Sequence, residues 1–184
     1  MPCVDRPTPI SRALLAIDAA LIELPPAMTS DPARILLLAI GLQESKLVHR
    51  RQLIEREGNL VAAGPAKSLW QGERLGGMTA GILRHNATAG LTRALCSRHG
   101  IAATPTAIWN AIENNDMLAA SCARLLLWTD PAPLPGVGRR SDAFRYYVRT
   151  WRPGAYTRGS LITKEALMNK FFRNHFKASE LVQP

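Results

Sequence analysis

The chain predicts a mainly α fold (α+β): a set of helices with one small β element after the central helix. Three observations carry that prediction. Helix-opening chemistry recurs at Ser30-Asp31-Pro32, Thr104-Pro105 and Asn115-Asp116, where a capping side chain, twice with a proline behind it, precedes an apolar run. The apolar residues in most of those runs fall at helical spacing or cover every side. Leu53-Ile54 and Leu60-Val61-Ala62 flank the turn-like cluster Glu55-Arg56-Glu57-Gly58-Asn59, which reads as a short hairpin.

Taken in order, residues 1–8 carry few apolar anchors and read as a flexible arm. From Ser11 to Leu24, Leu14, Leu15, Ile17, Leu21 and Ile22 fall near helical spacing, and Pro25-Pro26 ends the segment. The central helix spans about Asp31 to Lys46. Ile35 to Leu42 is apolar all round, so the helix belongs in a core, and about eight to ten apolar residues are too few to span a bilayer, which needs roughly 20. No transmembrane segment is expected.

Glu44 sits at the far end of that helix, on the face of Leu37, Ile40 and Gly41. Burial disfavours its charged form, and so does the negative end of the helix dipole. Both effects raise its pKa, as a general acid working near neutral pH requires. Gly41, one turn back, leaves a gap where another backbone or a ligand could approach. The competing reading is a surface glutamate paired with Lys46, Arg50 or Arg51.

Residues 64–81 hold five glycines around Trp70-Gln71, without the Gly-Lys-Ser/Thr of a phosphate loop, and read as a loop of close backbone approach. Trp70 offers a ring face for stacking on a sugar, against the alternative of a core plug. Gln71 offers a neutral donor and acceptor. His49 and Gln52 are either cleft-lining or plain solvated loop residues. Glu73 is the nearby candidate for a second carboxylate, and no role in the chemistry is assigned to it.

A helix is expected from Gly81 to His99, closed by Gly100. Another opens at Thr104-Pro105, and a strongly apolar one runs from Met117 to about Trp128, where Pro131 cannot continue it. Residues 129–141 form a linker-like loop. From its end onward Arg139, Arg140, Arg145, Arg149, Arg152 and Arg158 recur with Phe144, Tyr146, Tyr147, Trp151 and Tyr156 between them, a mixture suited to a polysaccharide cleft or to single-stranded nucleic acid. Tyr147 and Trp151, four apart, share a helical face. Leu161 to Phe176 reads as an amphipathic basic helix that docks on the domain or on a partner.

The 184 residues suffice for one well-buried domain, and with 47% apolar and 20% charged residues wholesale disorder is excluded. The net charge of +9 favours nucleic acid, anionic membranes or the acidic polymers of a bacterial wall, and does not choose among them. No nucleic-acid motif is evident, so no specific nucleic-acid partner is expected. Cys3, Cys96 and Cys122 are odd in number and lack CxxC spacing, which argues against a disulfide framework or a zinc site and for synthesis in a reducing compartment. No basic-then-apolar leader opens the chain, so no secretory signal is expected.

Gln43-Glu44-Ser45 at the end of an apolar helix, with Gly64-Pro65-Ala66-Lys67-Ser68-Leu69-Trp70-Gln71 about twenty residues on, resembles the first two motifs of the goose-type lysozyme and soluble lytic transglycosylase superfamily. The resemblance is to the small lysozyme-like proteins of tailed phages and prophages in particular. In Ser68-Leu69-Trp70-Gln71, Ser replaces the family's Gly and Trp its Met. The resemblance implies a lysozyme-like catalytic domain over residues 9–156, a small β element walling the cleft after the catalytic helix, and a basic helical extension at 157–184. It implies cleavage of the β-1,4 bond between N-acetylmuramic acid and N-acetylglucosamine in peptidoglycan glycan strands, as a muramidase or a lytic transglycosylase.

In that family a tyrosine hydrogen-bonds the acid, and Tyr146-Tyr147, lacking the usual Asn, is the nearest analogue here. The implied site is Glu44 as general acid and base, with Ser45, Gln52, Trp70, Gln71, Tyr146, Tyr147 and Trp151 about the substrate; no metal or organic cofactor is implied. Without a leader, delivery falls to a phage particle or a membrane lesion, so the protein is expected in the virion or released to the periplasm. The alternative from another class is a virion structural protein, a neck or tail adaptor among other virion proteins, that keeps the fold with little activity.

Overall fold

In the computed structural model, which describes residues 7–183, the fold is mainly helical with a small antiparallel sheet. Residues 1–6, most of the expected arm and Cys3 with it, lie outside the described residues. Thr8 Oγ1 accepts the N–H of Ser11 and opens helix α1 (Pro9–Glu23). Ala13, Ile17, Ala20 and Leu21 face inward from it, a stripe at helical spacing. After a 3₁₀ turn at Pro26–Met28, Ser30 Oγ accepts the N–H of Ala33 and opens α2 (Asp31–Ser45). Every residue of α2 from Ile35 to Gln43 is buried, because α1 and the later helices at Asp116–Trp128 and Leu161–Val182 pack around it. Lys46 and Leu47 then turn out of the helix at positive φ.

Strands β1 (Arg51–Arg56) and β2 (Asn59–Lys67) form the expected hairpin. Its register runs from Arg56 opposite Asn59 to Leu53 opposite Ala62, and Glu57 and Gly58 turn the chain at φ 53° and 79°. The ladder then breaks, and Arg51 pairs with Lys67. Gly64 lies in the break; a Cβ there would meet the Gln52 side chain at 2.7 Å. A two-residue strand β3 (Gly72–Glu73) pairs with the end of β2.

The base of the sheet is fastened to the helices. Arg50 makes a two-pronged ion pair with Asp116 at 2.5 and 2.6 Å. The nearly buried Lys67 pairs with Glu113 at 2.7 Å and lies 3.6 Å above the ring of Trp109, whose Nε1 donates to Pro65 O at 2.8 Å.

The single helix expected from Gly81 to His99 is instead broken. A π turn at Gly77–Gly81 runs into the short α3 (Ile82–Arg84), and α4 (Ala89–Arg98) starts afresh. The buried hydroxyls of Thr88 and Thr92 both reach Ile82 O, at 2.8 and 3.2 Å, and take the place of the helical N–H that a continuous helix would have given it. Gly100, at φ 63°, closes α4 as expected: the N–H of Ile101 reaches Cys96 O and that of Gly100 reaches Ser97 O.

Thr104 caps α5 (Pro105–Ala111) and Asn115 caps α6 (Asp116–Trp128). Helices α7 (Arg140–Trp151), the short α8 (Gly154–Arg158) and α9 (Leu161–Val182) complete the chain. Of the two dockings open to the C-terminal basic helix, the structure shows the first: α9 lies along α2 and α7, with Phe171, Ala178 and Val182 buried in the same core. The segment expected as an extension is packed into the body of the fold. No helix among the described residues is long and apolar enough to cross a membrane.

Candidate functional site

Glu44 lies in the last turn of α2, partly buried, at the wall of a cleft of about 910 Å³. The hairpin and β3 form one side of this cleft, the loop after α6 and the C-terminal end of α7 another. The Tyr147 hydroxyl, from α7, donates to Glu44 Oε1 at 2.6 Å. Burial raises the Glu44 pKa above the ordinary carboxylate value; the Tyr147 hydrogen bond and the charge of Lys170 oppose that rise without cancelling it. Tyr147 is pushed upward too, by burial and then by Glu44, so its phenol stays a donor. With Oε1 occupied, Oε2 is the oxygen left to carry the carboxylic proton. Tyr147 is fixed in turn by stacking on Phe171, ring centroids 4.9 Å apart and 19° from parallel.

The other expected site residues divide. Gln52, Gln71 and Trp151 line the cleft with Glu44 and Tyr147. Gln71 is held at φ 53°, its Nε2 donating to Ser68 O at 2.8 Å and His49 O at 3.1 Å, so its side-chain oxygen is the polar atom left to meet a ligand. Trp151 Nε1 donates to Trp70 O at 3.2 Å. Glu73, exposed, also lines the cleft, whereas His49 does not and serves only through its carbonyl, which accepts from Gln71.

Three expectations are corrected. Trp70 is no stacking platform: it is fully buried, and its Nε1 donates to Leu37 O at 2.9 Å. Ser45 is buried at the end of α2, where its hydroxyl reaches Leu69 O at 2.7 Å and accepts the N–H of Leu47, so it joins the two motifs without meeting the cleft. Tyr146 points the other way from Tyr147, its hydroxyl donating to Leu127 O at 2.7 Å inside the core. The gap at Gly41 is filled by the chain itself: a Cβ there would meet Leu47 Cδ2 at 2.5 Å and Trp70 Nε1 at 3.5 Å. Several loop glycines likewise serve internal packing, Gly77 against Leu126 and Gly72 against Ile112.

The structure adds groups that sequence reading did not place. Asp130 lines the cleft with its carboxylate held by Arg149 at 2.5 Å and by the N–H of Ala132; the Arg149 hydrogen bond keeps its pKa below the usual range. Lys170 and Asn174 of α9 both bond Gln43. For the Arg149, Lys170 and Asn174 contacts the sequence carried no local signal, since the partners lie 19, 127 and 131 residues apart. Among the described residues, no group of three or more histidine, cysteine or acidic side chains is arranged to hold a metal. Compared with family models, curated proteins and solved structures, the chain matches none. The arrangement offers one carboxyl group whose pKa burial raises, a phenol bonded to one of its oxygens, and a groove with amide and indole groups on its walls.

Proposed function

We propose that the protein cleaves peptidoglycan glycan strands at the β-1,4 bond between N-acetylmuramic acid and N-acetylglucosamine, with Glu44 as general acid and then base. The observation that carries this reading is a carboxyl group with a raised pKa at the wall of a cleft of about 910 Å³, one oxygen held by Tyr147. Glu44 Oε2 gives its proton to the glycosidic oxygen as the bond to the anomeric carbon breaks. The Tyr147 hydrogen bond stabilises the carboxylate that forms, since a donor to the charged form favours it. That carboxylate then takes a proton either from water, which adds to the anomeric carbon, or from the sugar's own 6-hydroxyl, which closes a 1,6-anhydro ring.

Gln71, Gln52 and Trp151 hold the sugars in this account. Asp130 is taken up by Arg149 and the N–H of Ala132 and has no part in proton transfer. The test is turbidity of a suspension of Gram-negative sacculi. Wild-type protein is expected to clear it and E44Q to leave it turbid, with mass spectrometry of the released fragments separating anhydro from hydrated ends by one water. Failure of the wild-type protein to clear would favour the virion structural reading; equal clearing by E44Q would remove Glu44 from the chemistry.

A further inference from the structure

Helix α9 bonds the C-terminal end of α2 through two side chains and stacks a third on α7 beside it. Lys170 Nζ donates to Gln43 O at 2.6 Å, Asn174 Nδ2 donates to Gln43 Oε1 at 2.8 Å, and Phe171 stacks on the ring of Tyr147, the phenol that holds Glu44. Gln43 immediately precedes Glu44, so α9 grips both the backbone and the side chain of the residue that aims the acid. The carbonyl of Gln43 belongs to the last turn of α2, where no helical N–H remains to bond it. A lysine there satisfies the carbonyl and sets a cation at the negative end of the helix dipole.

We propose that Lys170 is a positioning residue of the Glu44 site, its ammonium held on the Gln43 carbonyl and governing how readily Glu44 parts with its proton. The catalytic consequence rests on the reading of Glu44 as a general acid; the electrostatic one does not. Burial and the helix end both make Glu44 hold its proton more tightly, and an acid held too tightly donates slowly. A nearby cation moves it back toward the working range. The charged and titratable groups around Glu44 are Tyr147 on α7, Lys170 on α9 and Lys46 just past α2, with Glu73, Arg84, His85, Arg152 and the Asp130–Arg149 pair around the same cleft. Lys170 is the cation whose charge favours the ionised form of Glu44, and it alone of these is bonded to the residue beside it.

The experiment is a ¹³C titration of full-length protein labelled at glutamate carboxyls, with the Glu44 resonance assigned by its loss in E44Q. K170M is expected to move the Glu44 midpoint upward by about one pH unit, and K170R to leave it near wild type. A K170M midpoint equal to wild type in folded protein, or a K170R midpoint displaced as far as that of K170M, would overturn the proposal; K170Q replaces K170M should the latter not fold. In sacculus clearing, the alkaline limb of the K170M pH profile is expected to move upward, whereas a purely structural loss lowers clearing at every pH and leaves the limb in place. A wild-type protein that clears nothing sinks the peptidoglycan reading while the titration still decides the role of Lys170.

Discussion

Glu44 binds its proton more tightly in the folded chain than in the unfolded one, because folding takes the carboxyl group out of water. Linkage turns this into a dependence of stability on pH. Below the unfolded value of about 4.3 the group is protonated in both states, and its contribution is fully present. As pH rises from there through the higher folded value, the unfolded chain releases the proton first and stability falls. Glutamine carries no such proton but keeps an oxygen for the Tyr147 hydroxyl. E44Q is therefore expected to melt near the wild-type temperature at about pH 4 and above it at pH 8, by on the order of 1 kcal/mol or ~2–4 °C. Melts by circular dichroism across that range check it; a difference that does not change with pH would mean that Glu44 titrates alike in both states.

At the scale of elements, the hairpin wall of the cleft is held by the Arg50–Asp116 pair, and the two side chains are about a third and a sixth exposed. Asp116 also stands in the first turn of α6, where a negative charge is favoured. D116A removes two charge-assisted hydrogen bonds at once. Since Arg50 stays partly in water, the expected cost is about 1–2 kcal/mol, with faster amide exchange in β1 and β2 than in α1. Uniform exchange across the fold would show that the pair does not anchor the hairpin.

Helix starts were legible in the sequence because capping is local: Ser30, Thr104 and Asn115 each accept an N–H three residues on. The hairpin was legible from its turn. The break at 85–88 was not, because Thr88 and Thr92 draw on Ile82 O through the fold and not through any spacing rule. Trp70 was misplaced for a chemical reason: an indole that stacks on a sugar and one that fills the gap beside Gly41 look the same in one dimension. Tyr146 and Tyr147 were told apart only by the packing that sends one to Leu127 O and the other to Glu44.

For the whole molecule, the C-terminal helix α9 decides whether the rest has a complete core. Phe171, Ala178 and Val182 are buried, and Leu167, Met168 and Phe172 pack partly against the same cluster, which includes Tyr147 and much of α2. At about 1.5–3 kcal/mol for each large apolar side chain fully buried, their sum is comparable with the about 5–15 kcal/mol that separates a folded domain from its unfolded chain. Removing α9 would also expose the face of α2 that it covers, and leave Tyr147 without its stacking partner. A chain ending at residue 156 is therefore expected to lose its cooperative thermal transition and its near-ultraviolet dichroism, to bind a hydrophobic dye, and to clear no sacculi, while the full chain melts in one step. A truncated chain melting cooperatively within a few degrees of the full one would show that α9 is laid on a finished domain. In that case Lys170 would have to reach Gln43 from a helix the fold can do without, and the C-terminal end of α2 would have to keep its shape with both the Gln43 carbonyl and the Gln43 amide released to water.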